Sequence, residues 1–181
     1  MHEDNTFTTI TAITAHHRYT GELPSRGYRI ADILNDSSTN VLKLHDAIAS
    51  GSGVRVQDVR FDEVVLKKES VLIVIPQGKY EAPRRRRNRY IERDRYGAMV
   101  SLPGYILSGV IHLPTKPVPS FLLAENSTLP DFMGMTNVTV HSSMHDFTPT
   151  DCGVLIVRRS ALEAVQLTTH ALAKREDLAE S

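Results

Sequence analysis

The chain reads as one unit written twice, and this periodicity constrains its fold more than any other feature. Thr20-Gly21-Glu22-Leu23 is echoed 88 positions later by Ser108-Gly109-Val110-Ile111, and Ile33-Leu34 by Phe121-Leu122. After a short insertion the offset becomes 91. Val41-Leu42-Lys43-Leu44 then aligns with Phe132-Met133-Gly134-Met135, and Val64-Val65-Leu66-Lys67-Lys68 with Leu155-Ile156-Val157-Arg158-Arg159. Val71 and Val74 match Leu162 and Val165. Few of these matches are identities, so matched apolar pattern, matched charge pairs and a constant offset carry the comparison. Within 181 residues they predict two similar units of about 70 residues each. Units that small bury only ~60% of their unfolded surface, so the two copies are expected to pack together.

The local pattern predicts a mainly β fold with a minor helical part: tandem pseudo-symmetric β-barrel or sandwich-like modules with one short helix each. Residues 1–6 read as a polar tail and residues 7–78 as the first β-rich repeat. Thr, Ile and Ala alternate from Phe7 through Thr14, and Tyr19 to Leu23 continues the extended pattern until Pro24 and Gly27 break it. Arg29 to Asn35 places apolar residues at helical spacing, with Asn35 and Asp36 as a stop. Strands are expected over 41–49 and 59–66, with Lys67-Lys68-Glu69-Ser70 as a hairpin turn. The β-branched run Val71 to Ile75 predicts a closing strand buried on both faces.

Residues 79–95 read as a basic Arg/Tyr linker and 96–168 as the second repeat. There, 99–113 is extended, 120–124 a helical turn and 132–141 a strand. Residues 154–157 and 161–167 then form a second hairpin around Arg158-Arg159-Ser160. Ser160-Ala161-Leu162-Glu163 alone resembles a helix-opening capping box, but its counterpart Ser70-Val71-Leu72-Ile73 is strand-forming, so a strand is expected. Residues 169–181 read as a polar C-terminal tail. The expected buried set is Ile33, Leu34, Leu42, Leu44, Val65, Val71, Ile73, Phe121, Leu122, Met133, Ile156 and Val165.

Arg18-Tyr19-Thr20-Gly21, then Arg29-Ile30-Ala31-Asp32-Ile33-Leu34-Asn35, then Leu44-His45-Asp46-Ala47 and the Lys-Lys-Glu hairpin resemble a family of small bacterial domains of unknown function. The resemblance covers residues 10–76. The second copy departs from it, with Ser120 in place of Asp32 and Leu123 in place of Asn35. It implies a fold unit and supplies no activity and no site residue.

Composition bounds the function classes. Hydrophobic content of 41% and charged content of 23% suit an ordinary soluble protein. No apolar run approaches the ~20 residues of a membrane-spanning helix, and the start Met1-His2-Glu3-Asp4 lacks a basic-then-apolar leader. The single Cys152 excludes an internal disulfide framework. The expectation is a cytoplasmic protein. Its zero net charge is unevenly spread. Residues 79–96 hold eight basic residues against three acidic ones, a net charge of +5 that leaves −5 for the remainder.

Each candidate site in the sequence also has a structural explanation. Asp32, Asn35 and Asp46 could form a polar site, yet a helix cap, a helix stop and a strand end explain them as well. His141 and His145 with Asp146 and Cys152 are the one group resembling metal ligands, but they lack the tight spacing of zinc sites, and no metal is expected. No nucleophile elbow, phosphate-binding loop or dinucleotide turn occurs, so neither an enzyme nor a cofactor is expected. The sharpest binding candidate is the arginine run: Arg84, Arg85, Arg86, Arg87, Arg89, Tyr90, Arg93 and Arg95. Its guanidinium groups could neutralise phosphates while the tyrosines stack on bases; a solvated linker or a protein contact is the favoured reading, because Glu92 and Asp94 dilute the field and no basic excess lies outside the segment. The expected function is a non-catalytic interaction or assembly module that contacts another protein or itself. The alternative is a nucleic-acid- or nucleotide-binding accessory protein acting through residues 84–95.

Overall fold

A computed structural model describes residues 6–51, 58–78, 94–113, 118–142 and 151–171, with side chains described to Thr168 in the last segment. The elements run β1 Phe7–Ile13, β2 His17–Pro24, α1 Ile30–Leu34, β3 Val41–Gly51, β4 Val59–Lys67 and β5 Ile73–Pro76. They continue β6 Asp94–Leu102, β7 Tyr105–Leu113, α2 Pro119–Leu123, β8 Phe132–Ser142, β9 Asp151–Arg158 and β10 Ala164–Ala171. A one-turn 3-10 segment, Lys68–Ser70, follows β4, and another, Arg159–Ala161, follows β9. The fold is mainly β. All ten strands belong to one antiparallel sheet of order β10-β6-β7-β8-β9-β5-β1-β2-β3-β4. The two halves are therefore continuous parts of a single sheet joined where β5 pairs with β9.

Both halves carry the same elements in the same order and, within each half, the same strand order. Their registers agree as well. The pair Ile10↔Gly21 becomes Ala98↔Gly109, and His17↔Gly51 becomes Tyr105↔Ser142. Val41↔Lys67 becomes Phe132↔Arg158, and Ile10↔Pro76 becomes Ala98↔Leu167. Residues of β1 and β2 map onto β6 and β7 by adding 88, and those of β3 to β5 onto β8 to β10 by adding 91.

Even an irregularity recurs. Each half has a break in register where β2 meets β3, or β7 meets β8, and the residue there takes a left-handed backbone: Asp46 at φ 47° and Asn137 at φ 51°. Such short polar side chains tolerate that conformation better than branched ones. Asp46 thus lies inside β3 and does not end it, contrary to the sequence-based expectation. Gly21 and Gly109 sit beside these bulges. A Cβ on Gly21 would lie 2.9 Å from the His45 carbonyl oxygen, and one on Gly109 3.0 Å from those of Thr136 and Asn137.

The hydrophobic interior divides into two clusters, and the joining strands touch both. Ile73 and Val157 belong to the second-half cluster, whereas their neighbours Val74 and Ile156 belong to the first-half cluster. Successive strand side chains point to opposite faces. The two cores therefore lie on opposite faces of the sheet at the β5–β9 join, and the run through Ile75 is buried on both faces as its composition predicts. Each core is completed from the other half. Phe132 and Ile156 enter the first-half core, while Ile13, Leu72, Ile73 and Ile75 enter the second-half core.

Several expectations need correction. Neither predicted hairpin forms. β5 pairs with β1 and β9, not with β4, and β10 pairs with β6, not with β9. The 3-10 turns carry the chain away from β4 and β9. The Leu72 amide then donates to the Ile13 carbonyl at 2.8 Å and the Glu163 amide to the Ser101 carbonyl at 2.9 Å, handing the chain to its new neighbour in each half. Leu34, Leu42, Leu44, Val71, Ile73, Leu122, Met133 and Ile156 are buried as expected, and Ile33 and Val165 are half-buried. Val65 and Phe121 are not buried: they are 50% and 41% exposed. The expected linker ends earlier than predicted, because β6 begins at Asp94, and the expected C-terminal tail overlaps β10, which runs to Ala171.

Candidate interaction surface

Short helices need outside help to end, and here a basic side chain supplies it. Lys68, in the turn after β4, donates from Nζ to the carbonyls of Ile33 and Asp36 at 2.8 and 2.9 Å, closing the C-terminus of α1. Burial lowers the Lys68 ammonium below its ordinary pKa, against an opposing pull from the Asp36 carboxylate. Arg159 does the same for α2, donating from Nη1 to the carbonyls of Leu122 and Ala124 at 3.3 and 2.7 Å. Lys68 and Arg159 are both buried, so the paired charges of the sequence motif are structural at these positions.

Of Asp32, Asn35 and Asp46, weighed as a polar group, the structure gives Asn35 and Asp46 clear structural places. Asp32 lies in the first turn of α1, whose N-cap, Arg29, makes no side-chain cap. Asn35 occupies the C-cap. Its Nδ2 donates to the Phe132 carbonyl at 2.8 Å, and its Oδ1 accepts from the Phe132 amide at 2.9 Å, so it fastens α1 to the first residue of β8. Sequence reading saw a helix stop and missed this bridge, because its partner lies 97 residues away.

Arg84, Arg85, Arg86, Arg87, Arg89, Tyr90 and Arg93 lie outside the described residues. Arg95 is an exposed residue of β6 opposite His112 of β7. His141 stands near the end of β8, and His145 and Asp146 lie outside the described residues. Cys152 is buried in β9, where desolvation and then the neighbouring Asp151 carboxylate push its thiol above the ordinary value. A thiol so placed holds little thiolate, the form that attacks electrophiles. Among the described residues no group of three His, Cys, Asp or Glu could hold a metal ion. No helix among them is long and apolar enough to cross a membrane.

What the described surface does offer is an open sheet end. Among the described residues β4 is the last strand of the sheet on the first-half side, with β3 on one flank and no strand on the other. It carries exposed Val59, Phe61 and Val65 at 49%, 40% and 50%. Val59 and Phe61 stand opposite Ala49 and Ala47, and Val65 opposite Lys43. A polar ladder borders the strand: Glu63 pairs with Lys43 at 3.3 Å and with His45 at 3.8 Å. The His45 ring meets Phe7 edge-on at a centroid distance of 5.9 Å. An edge strand of nine residues with exposed branched and aromatic side chains is a template for pairing with another chain. On the second half, α2 exposes Phe121 and Leu123, and Val118 stands 64% exposed at its N-cap. No protein-family model, curated protein or solved structure matches the chain.

Proposed function

We propose that the chain is a non-catalytic protein-interaction or assembly module built from a duplicated β-rich unit, with β4 as its binding strand. The observation that supports this reading is the β4 edge, which no other described strand covers and which carries exposed Val59, Phe61 and Val65. Strand addition draws affinity from main-chain hydrogen bonds and specificity from alternate side chains. The test is affinity recovery of partners with the natural chain and with Val65→Lys, which places a charge on the edge without touching a core side chain. A partner protein should be lost with the variant while its thermal melt stays unchanged. Equal recovery by both chains would sink the reading.

A second reading rests on charge. The basic segment ending at Arg95 carries a net +5 in a chain of zero net charge. Were Arg84 to Arg87 to neutralise phosphates, affinity for nucleic acid would fall with salt by a slope of roughly 0.7–0.9 per contact. Replacing all four by serine would abolish it. The protein-contact reading instead expects no retention of nucleic acid at about 0.15 M salt, where exposed charges are screened beyond ~8 Å.

A further inference from the structure

We infer that the partner of the β4 edge is the β10 edge of a second copy of this chain, paired in the register that already joins the two halves. This deepens the interaction reading above and rests on it. The molecule contains one such join: Ile73 and Val74 of β5 stand opposite Val157 and Ile156 of β9. The Arg158 amide extends it by donating to the Leu72 carbonyl at 2.9 Å. The two end strands of the described sheet, β10 and β4, hold the positions in their own halves that β5 and β9 hold in theirs. Repeating the join between copies puts Ala164 opposite Leu66 and Val165 opposite Val65, with the Lys67 amide aimed at the Glu163 carbonyl.

Three features of these edges fit that occupant. First, β4 keeps the chemistry of the joined strand: Val65-Leu66-Lys67 stands where β9 has Ile156-Val157-Arg158. Ile156 is buried because the first-half core covers it; Val65 is exposed because nothing among the described residues covers it. Second, α1 is capped by Asn35 against β8, whereas its counterpart α2 has no such neighbour among the described residues and exposes Leu123, at the position of Asn35, and Phe121. A second copy joined at β10 would bring Val41 and Val65 to this apolar surface, as Phe132 and Ile156 are brought to α1. Third, the one charged change at the β10 edge is complementary. Glu163 replaces Leu72, and the repeated register sets its carboxylate beside Lys67 of the neighbour. A join between two different surfaces of one chain propagates head to tail, and closes into a ring only if its rotation permits.

Two single-cysteine variants test this, Val65→Cys and Val165→Cys, with Cys152 left buried. Residues directly opposite in an antiparallel pair have Cα atoms ~4.5–5.5 Å apart, within disulfide reach. Mild oxidation of the equimolar mixture should give a disulfide-linked heterodimer of twice the 20.2 kDa chain mass, and each variant alone should give little. A homodimer from Val65→Cys alone would mean β4 pairs with β4, and would overturn the proposal. In sedimentation, Glu163→Lys should weaken association at least tenfold, and Lys67→Glu combined with Glu163→Lys should restore most of it. A natural chain that stays monomeric at high concentration with no cross-link also overturns the proposal. If Val65→Lys nonetheless loses a different protein partner, the interaction reading stands and only the self-association fails.

Discussion

Single side chains here do work that their local sequence context conceals. Lys68 and Arg159 look like solvated hairpin charges, yet both are buried and close a helix end through two carbonyls. Removing such a donor leaves buried acceptors without a partner, which costs roughly 1–3 kcal/mol. Lys68→Met and Arg159→Met should each lower stability by about that much in chemical denaturation, and unchanged midpoints would refute the capping role. Cys152 gives a second residue-scale expectation. Because burial raises its thiol pKa, the folded chain should react slowly with a thiol reagent at pH 8 and rapidly once unfolded. The sign for stability follows: the unfolded thiol ionises first. This contribution is intact below the unfolded pKa and is lost as pH rises through the folded one. Fast modification of the native protein would show that the thiol is accessible after all.

At the scale of elements, strands and short helices were legible because periodicity is local, while strand partners were not. Alternation marks residues 7–23 and 99–113 as extended but not the turns that divide them into β1 and β2 and into β6 and β7, and the correspondence with β5 favours the strand found at β10. The same reasoning joined β4 to β5 through Lys67-Lys68-Glu69-Ser70, since a polar turn between two apolar runs is a hairpin signal. What decides otherwise is non-local: β5 is apolar on both faces and lies between two other strands, a place β4 could not give it from the sheet edge. Val65 was misplaced for the same reason, because its counterpart Ile156 is buried only by the other half. Leu44→Ala and Ile73→Ala, at fully buried positions, should each cost ~2–5 kcal/mol. Val65→Ala should change stability by no more than ~0.5 kcal/mol, as surface substitutions do. At the bulges, Gly21→Ala and Gly109→Ala each force a Cβ against a backbone carbonyl, and should cost ~1–3 kcal/mol. Equal tolerance of all five substitutions would mean that the strand faces are wrongly assigned.

For the whole molecule, the decisive property is that neither half owns a complete core. Phe132 and Ile156 finish the first, and Ile13, Leu72, Ile73 and Ile75 finish the second. Units of about 70 residues are marginal even with an intact core, and a half cut at the β5–β9 join would expose to water the edge of its terminal strand and the face that the other half covers. Asn35 adds two hydrogen bonds across the same boundary. Residues 1–78 expressed alone should therefore lack cooperative unfolding, and so should residues 94–181. The full chain should melt in one transition, with calorimetric and van't Hoff enthalpies in agreement. Asn35→Ala should lower that single melting temperature without splitting it, because it weakens a contact common to both halves. Two separable transitions, or a first half that folds on its own, would mean that the shared cores contribute little. The halves would then be independent domains that happen to share a sheet.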